Sequence, residues 1–242
     1  MIEDNQYKIS VITAAYNAES CIQNLIESLR SQQDKKFEWI VVDGASTDKT
    51  VEILKNITDL NIKIISEPDF GIYDALNKGI KACSGEYYLV AGADDIFFQN
   101  AIKDYKAAIE DNVDMITANI LMNDKVIKPN KGPSWRSGMF HWISQHSVGV
   151  LIKKDLHKVY GYYSHRYPIA ADQLFIKKSC QHKAICKKIN ILVGKFGLNG
   201  TSSVDELGGL TECFRIQLLT EKTKTLQYLL FILRLFKRYI GR

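Results

Sequence analysis

The chain has 242 residues, 46% of them hydrophobic and only 4 prolines, enough for one sizeable core and too apolar for a long disordered segment. Its formal charge of +5 sits in residues 221–242, where Lys222, Lys224, Arg234, Lys237, Arg238 and Arg242 face only Glu221; the neutral body has no basic surplus for nucleic acid. Met1–Ser10 is acidic and polar, no apolar run of about 18 residues occurs, and Cys21, Cys83, Cys180, Cys186 and Cys213 lack zinc or redox spacing, so neither a signal peptide nor a membrane span is expected and a reducing cytoplasm is the natural reading.

In chain order, Lys8–Thr13 reads as a buried strand and Glu19–Gln32 as a helix with Ile22, Leu25, Ile26 and Leu29 on one stripe. Phe37–Asp43 is a second strand, followed by cap candidates Ser46–Asp48 before a helix carrying Val51 and Leu54. Ile62–Glu67 is a third strand. Ile72–Cys83 is a helix that Gly85 is expected to close. Glu86–Gly92 and Met115–Ile120 are further strands, Asn123–Lys125 a hairpin turn, and Ser147–Ile152 another strand. Ala170–His182 reads as a helix and Lys187–Phe196 as the last strand. Strands separated by such helices predict an α/β chain with a mostly parallel, Rossmann-like sheet, whose ligands bind beyond the carboxyl ends of the strands.

Three strands end in residues suited to that edge. The first runs into Thr13-Ala14-Ala15-Tyr16-Asn17, where small residues admit a flat ring and Tyr16 can stack on it or simply pack. The second ends at Asp43, which can accept a base N–H or serve as a turn residue. The fourth ends at Asp94-Asp95, two adjacent carboxylates that suit Mg²⁺ or Mn²⁺ or, more simply, cap the next helix. Between them, Asp69, Asp74, Asn77 and Lys78 crowd a helix start, a place that favours anions; Lys78 faces either a phosphate or water.

The stretches SVITAAYN, VVDGASTDKT and EPDFGIYDALNKGIKACSGEYYLVAGADD together resemble the inverting family 2 glycosyltransferases of the GT-A fold, and GIYDALNKGI resembles their bacterial exopolysaccharide and O-antigen branch. The resemblance spans roughly residues 8–180. It implies a donor nucleotide held by Thr13, Ala15, Tyr16, Asp43, Gly71, Asn77, Lys78 and Asp94, with Asp95 on a Mn²⁺ or Mg²⁺ ion. It implies Asp172 as the general base, after Ala170-Ala171 where the family often has a Glu before the Asp. Asp74, Ala171 and His146 would lie near the sugar or acceptor; His146 stands in a Gln-His pair where that branch often has His-Gln, and a satisfied buried imidazole is the competing reading. The implied activity is transfer of one sugar per visit, with inversion, from a UDP-hexose or UDP-N-acetylhexosamine to a polyprenyl-diphosphate-linked acceptor at the inner face of a bacterial plasma membrane. The Gln-x-x-Arg-Trp signature of processive synthases does not occur.

The expected organisation is a catalytic domain over residues 1–220, with a nucleotide-binding half to residue 120 and an acceptor-binding half after it. Residues 221–242 form a basic amphipathic helix, with Leu226, Leu229, Leu230, Leu233, Phe236 and Ile240 on its apolar stripe. Such a helix either lies on anionic lipid or packs on the domain. A nicotinamide dehydrogenase would need glycines at Thr13–Asn17; a catalytically silent nucleotide- or glycan-binding module stays open as the rival reading.

Overall fold

A computed structural model describes residues 8–198 and 205–239. β1 (Ile9–Ala15), α1 (Ile22–Arg30), β2 (Phe37–Asp43), α2 (Thr50–Lys55), β3 (Ile62–Ser66), α3 (Ile72–Ala82) and β4 (Tyr87–Val90) form the alternating first half. Then come β5 (Ile96–Phe97), α4 (Ala101–Ala107), β6 (Met115–Met122), β7 (Lys125–Ile127), α5 (Ser134–Ser137), a 3-10 turn (Gly138–His141), β8 (Val150–Lys153), α6 (Leu156–Tyr160), α7 (Ala171–Gln181), β9 (Cys186–Lys195), α8 (Glu206–Thr220) and α9 (Lys224–Tyr239).

One sheet runs β3-β2-β1-β4-β8-β6-β9-β5, with β7 paired to β6. The strands β1 to β4 pair in parallel, and β6 and β9 share their direction; β8, β5 and β7 run against them. The sheet is therefore mixed, mostly parallel. Period-2 alternation splits the core. Ile9 and Val11 point to a layer with Ile22, Leu25, Leu54 and Ile102, while Ile12 points to one with Leu76, Ile80, Phe175 and Ile216.

The hairpin turn expected at Asn123–Lys125 is present one residue shorter: Asn123 and Asp124 both have positive φ (49° and 57°), as a type I′ turn requires, and Lys125 already belongs to β7. Gly85 does not close α3, which ends with Cys83 in an extended conformation. Gly85 instead permits a close approach: a Cβ there would lie 2.3 Å from Ser10 Oγ, and its N–H donates to that oxygen at 2.9 Å. Of the cap candidates Ser46–Asp48, Asp48 caps α2, its Oδ1 accepting from Thr50 N at 2.9 Å, and the three residues also staple the loop after β1. Ser46 Oγ accepts from Asn17 N at 2.8 Å, Asn17 Oδ1 accepts from Thr47 N at 2.9 Å, and Asp48 Oδ2 accepts from Glu19 N at 3.0 Å.

In α9, Gln227, Leu230, Phe231 and Arg234 turn inward, and Phe231 stacks on Phe214 of α8 with ring centroids 4.2 Å apart. Tyr228, Leu229, Ile232, Leu233, Phe236 and Tyr239 are exposed. The expected stripe is thus divided between two faces, and Ile240 lies outside the described residues. Among the described residues no helix is long and apolar enough to cross a membrane.

Candidate active site

Three adjoining cavities follow the carboxyl edge of the sheet. The first, about 790 Å³, is lined by Ala15, Tyr16, Gly44, Asp69, Gly71, Gly92 and Asp94. It shares Ala14, Ile72, Gly92 and Asp94 with the second, about 250 Å³, which also holds Tyr73, Asp95, His146, Ser147, Asp172, Gln173 and Gly197. The second shares Phe140, Gln145, Gln173 and Cys213 with a third, about 460 Å³, bounded by Arg136 and Arg234.

Tyr16, at the tip of the β1 loop, is 65% exposed, so a planar ligand can reach its ring. Gly71 opens α3 at φ 103°, a conformation that favours glycine, and a Cβ on Gly44 would stand 2.7 Å from Asp69 Oδ2. Several expected nucleotide contacts lie behind this wall. Thr13 is fully buried and its hydroxyl accepts from Trp39 Nε1 at 3.0 Å. Asp43 is fully buried, accepting from Ser66 Oγ at 2.7 Å and from both N and Oγ of Ser46. Asn77 pairs with the Tyr163 backbone, at 2.9 Å to its carbonyl and 3.0 Å from its N–H. Lys78 is held by Glu67 at 2.9 Å, Asp74 at 3.4 Å and the Pro68 carbonyl at 2.9 Å. Asp74 also accepts from Phe70 N. Lys78 and Asp74 therefore brace the β3–α3 loop, and buried Ala171 packs in the core beneath Asp172.

Asp95 is 1% exposed. Its Oδ1 accepts from Gly197 N at 2.7 Å, and its Oδ2 accepts from Gly92 N at 2.6 Å and from Ser147 Oγ. Burial pushes its carboxyl up to about 6, against those three donors, and the Asp94 charge adds to the rise. A Cβ on Gly197 would stand 2.1 Å from Asp94 Cγ, so any larger residue there must displace the Asp94 carboxylate. Among the described residues no group of three His, Cys, Asp or Glu could hold a metal alone. The donor set still fits Mg²⁺ or Mn²⁺: such ions use one or two carboxylates and take the remaining oxygens from ligand phosphates. A cation here would relieve the repulsion between buried Asp95 and half-buried Asp94.

Asp172 stands in the first turn of α7, 9% exposed. Its Oδ1 accepts from Gln173 N at 2.8 Å and from the Tyr73 hydroxyl at 2.7 Å. Burial, then the Asp172 charge, raises the Tyr73 hydroxyl far above its ordinary value, so the proton stays on Tyr73. Oδ2 faces His146 Nδ1 at 3.8 Å, beyond hydrogen-bond length.

His146 ends a buried chain whose donors follow from its far end. The Gly161 carbonyl can only accept, so His157 Nδ1, 3.0 Å away, carries a proton. Burial pulls His157 down to about 4, so it is neutral and its Nε2 accepts from Tyr88 at 2.7 Å. The Tyr88 oxygen then accepts from Tyr163 at 2.8 Å, and the Tyr163 oxygen accepts from His146 Nε2 at 2.7 Å. Burial lowers His146 as well, the Asp172 charge offsetting only part of it. The network thus assigns a neutral His146 with its Nδ1 lone pair towards Asp172.

The structure gathers Asp94, Asp95, His146 and Asp172 in one cavity and Ala15, Tyr16 and Gly71 in the adjoining one. Sequence reasoning missed Tyr73, Ser147, Tyr163 and Gly197. Only Tyr73 gave a signal, lying inside the GIYDALNKGI stretch.

The glycosyl transferase family 2 model matches residues 10–177. An uncharacterized glycosyltransferase of Haemophilus influenzae is 40% identical over 113 residues, 46% of this chain and 35% of that protein; the chain thus spans about a third of that relative's length. A PGL/p-HBAD biosynthesis glycosyltransferase of Mycobacterium bovis is 25% identical over 209 residues, 84% of this chain and 78% of that one. Among solved structures, S. aureus TarS 1-349 in complex with UDP-GlcNAc superposes with TM-score 0.70 at 22% identity, covering 96% of this chain and 73% of that one. The mannosyltransferase PcManGT from Pyrobaculum calidifontis, in complex with GDP-Man and Mn²⁺, gives TM-score 0.71 at 17% identity, covering 98% and 72%. At those identities the likeness establishes the fold, which is GT-A.

Proposed function

Since this chain belongs to glycosyl transferase family 2, we propose that it moves one hexose or N-acetylhexosamine from a UDP-sugar to a lipid-linked glycan acceptor, with inversion, in cell-surface polysaccharide synthesis. The observation that carries the reading is the placing of Asp95 and Asp172 in one cavity beside an open cleft. The uridine would lie in the cleft against Tyr16 and the main chain of Ala15 and Gly71. The diphosphate would reach Asp94 and Asp95, and the sugar would fill the second cavity. That the structural neighbour TarS was solved with UDP-GlcNAc supports a uridine donor.

Asp172 Oδ2 would take the proton from the acceptor hydroxyl as that oxygen attacks the anomeric carbon. The anomeric C–O bond to the diphosphate breaks, and its electron pair leaves with the nucleotide. A positioned general base contributes about 10²–10⁴-fold. Tyr73 and the Gln173 N–H hold Oδ1, so Oδ2 is the oxygen presented for the transfer. Once protonated, Oδ2 finds the His146 Nδ1 lone pair, which the Tyr163 chain keeps free of a proton. Asp94 and Asp95 would hold Mg²⁺ or Mn²⁺, which as a Lewis acid supplies stabilisation of the leaving diphosphate.

The exposed apolar stripe of α9, with Lys237 and Arg238 beside it, suits a peripheral position on the anionic inner leaflet, at about 1 kcal/mol for each basic residue near the surface. The test of the donor reading is a thermal-shift panel of nucleotides and nucleotide sugars with Mn²⁺, Mg²⁺ or EDTA. Metal-dependent stabilisation of about 2.7 kcal/mol is expected for UDP at 100 times its dissociation constant. A flat response to every nucleotide would rule the proposal out.

A further inference from the structure

We propose that the third cavity, between α5 and α9, seats a phosphate group of the acceptor, held by the guanidinium groups of Arg136 and Arg234. This rests on the glycosyltransfer reading, because it takes the end of the trough opposite the nucleotide cleft as the acceptor's entrance. The cavity of about 460 Å³ meets the one containing Asp172 through Phe140, Gln145, Gln173 and Cys213. An acceptor whose hydroxyl lies at Asp172 must extend away from the filled donor cleft, and the third cavity is where that extension leads.

The lining there is of one sign. Lys128, Arg136 and Arg234 contribute to it, and no Asp or Glu does. The other arginine of α9, Arg238, pairs with Glu206 at 2.7 Å, and Arg30 pairs with Asp59 at 2.8 Å. Among the described residues neither Arg136 nor Arg234 has such a carboxylate. Arg234 instead turns inward from α9, and its Nη2 donates to the Arg136 carbonyl at 2.5 Å. Burial lowers the Arg234 guanidinium, and the Arg136 charge pushes the same way. The fold thus brings two like charges together at a partly desolvated place, an arrangement that an anion stabilises through charge-assisted, forked hydrogen bonds. Phosphate suits that fork. The opposite face of the same helix exposes Leu229, Ile232, Leu233 and Phe236. A phosphate carried on a lipid would meet Arg234 while its hydrocarbon chain met that face.

The test titrates inorganic phosphate and, separately, farnesyl phosphate below its micellar concentration, into protein saturated with UDP so that the donor cleft is filled. Arg136→Ala and Arg234→Ala should each weaken both probes about tenfold or more, with UDP affinity unchanged. Arg234→Lys, which keeps the charge without the fork, should recover part of the loss. Arg238→Ala removes one positive charge outside the cavity and should change either probe less than about twofold, by screening. Tighter binding of farnesyl phosphate than of phosphate points to a lipid-borne acceptor; equal binding points to a water-soluble phosphorylated one. If Arg136→Ala and Arg234→Ala weaken the probes no more than Arg238→Ala does, the assignment is wrong. Should UDP fail to bind the wild type, the glycosyltransfer reading falls instead, and the same titrations on nucleotide-free protein still decide the basic cavity.

Discussion

Replacing Tyr163 by Phe removes a single oxygen and breaks the buried chain at its centre. Tyr163 is 2% exposed, and its hydroxyl bridges Tyr88 at 2.8 Å and His146 Nε2 at 2.7 Å. Without it, the Tyr88 oxygen loses a donor and the His146 N–H loses an acceptor. Each unsatisfied buried group costs about 1–3 kcal/mol. The variant should be about 2–6 kcal/mol less stable, which for a domain of this size lowers the melting temperature by roughly 4–24 °C. The catalytic consequence is separate. Freed from Tyr163, His146 can move its proton to Nδ1 and donate it to Asp172 Oδ2, the oxygen meant to receive the acceptor's proton. A hydrogen bond to a carboxylate is worth about 1.5–3 kcal/mol, so kcat should fall about 10- to 150-fold while donor KM holds. Thermal unfolding, steady-state transfer and ¹⁵N-histidine spectra read these effects independently. Wild-type spectra should show His157 protonated at Nδ1 and His146 at Nε2. A Tyr163→Phe enzyme with unchanged kcat and an unchanged His146 tautomer would refute the reasoning.

Four further outcomes follow from particular contacts. His157 titrates near 4 folded against 6.5 unfolded, so the unfolded state binds more protons between those values. The contribution is therefore complete above about pH 6.5 and is lost as pH falls towards 4. Because Asp95, raised to about 6, acts in the opposite sense over part of that range, the quantity to measure is the difference from His157→Gln. Denaturant titrations should show the wild type losing about 2–3 kcal/mol more than the variant between pH 7 and pH 4.5, and an equal loss contradicts the assignment. Gly197→Ala drives a methyl into Asp94 at 2.1 Å; it should cost about 1–3 kcal/mol in unfolding experiments and abolish metal-dependent stabilisation by nucleotide. Lys78→Ala should leave nucleotide affinity within about twofold in a calorimetric titration, because the ammonium is held by Glu67, Asp74 and Pro68; a tenfold loss would return Lys78 to the phosphate. Deleting residues 224–242 should release the protein from anionic liposomes in a sedimentation assay, and equal binding of both forms would show that α9 is not the membrane contact.

Much of the fold was legible because burial on both faces of a parallel sheet leaves continuous apolar runs such as Phe37–Val42, and because α1 and α3 carry clean helical stripes. The antiparallel insertion of β8 between β4 and β6 was not, since direction within a sheet leaves no local mark. Asp94 and Asp95, which follow the fourth strand, were found from chemistry and Asp172, in the first turn of α7, from the resemblance, and the three do share a cavity. Thr13, Asp43, Asn77 and Lys78 could not be sorted the same way. Asp74 is the one partner of Lys78 that helical spacing supplies, at i,i+4; otherwise their polar atoms meet Trp39, Ser66, Tyr163 and Glu67, partners that no spacing rule supplies. Gly197 and Tyr163 were invisible for the same reason, their roles being set by Asp94 and His146 across the fold. In the tail, the helix and its charges were legible, but a residue such as Arg234 turns inward only because Phe231 and Gln227 fix which side docks on α8 and α5.

The most direct test of the account is the Asp172→Asn enzyme, assayed for sugar transfer and, in parallel, for metal-dependent nucleotide binding. Asparagine keeps the shape and can still accept from Tyr73 and from the Gln173 N–H, but it cannot take a proton. Transfer should fall by about 10²–10⁴-fold with nucleotide affinity unchanged. An Asp172→Asn enzyme that turns over near the wild-type rate would contradict the claim that this carboxylate is the base.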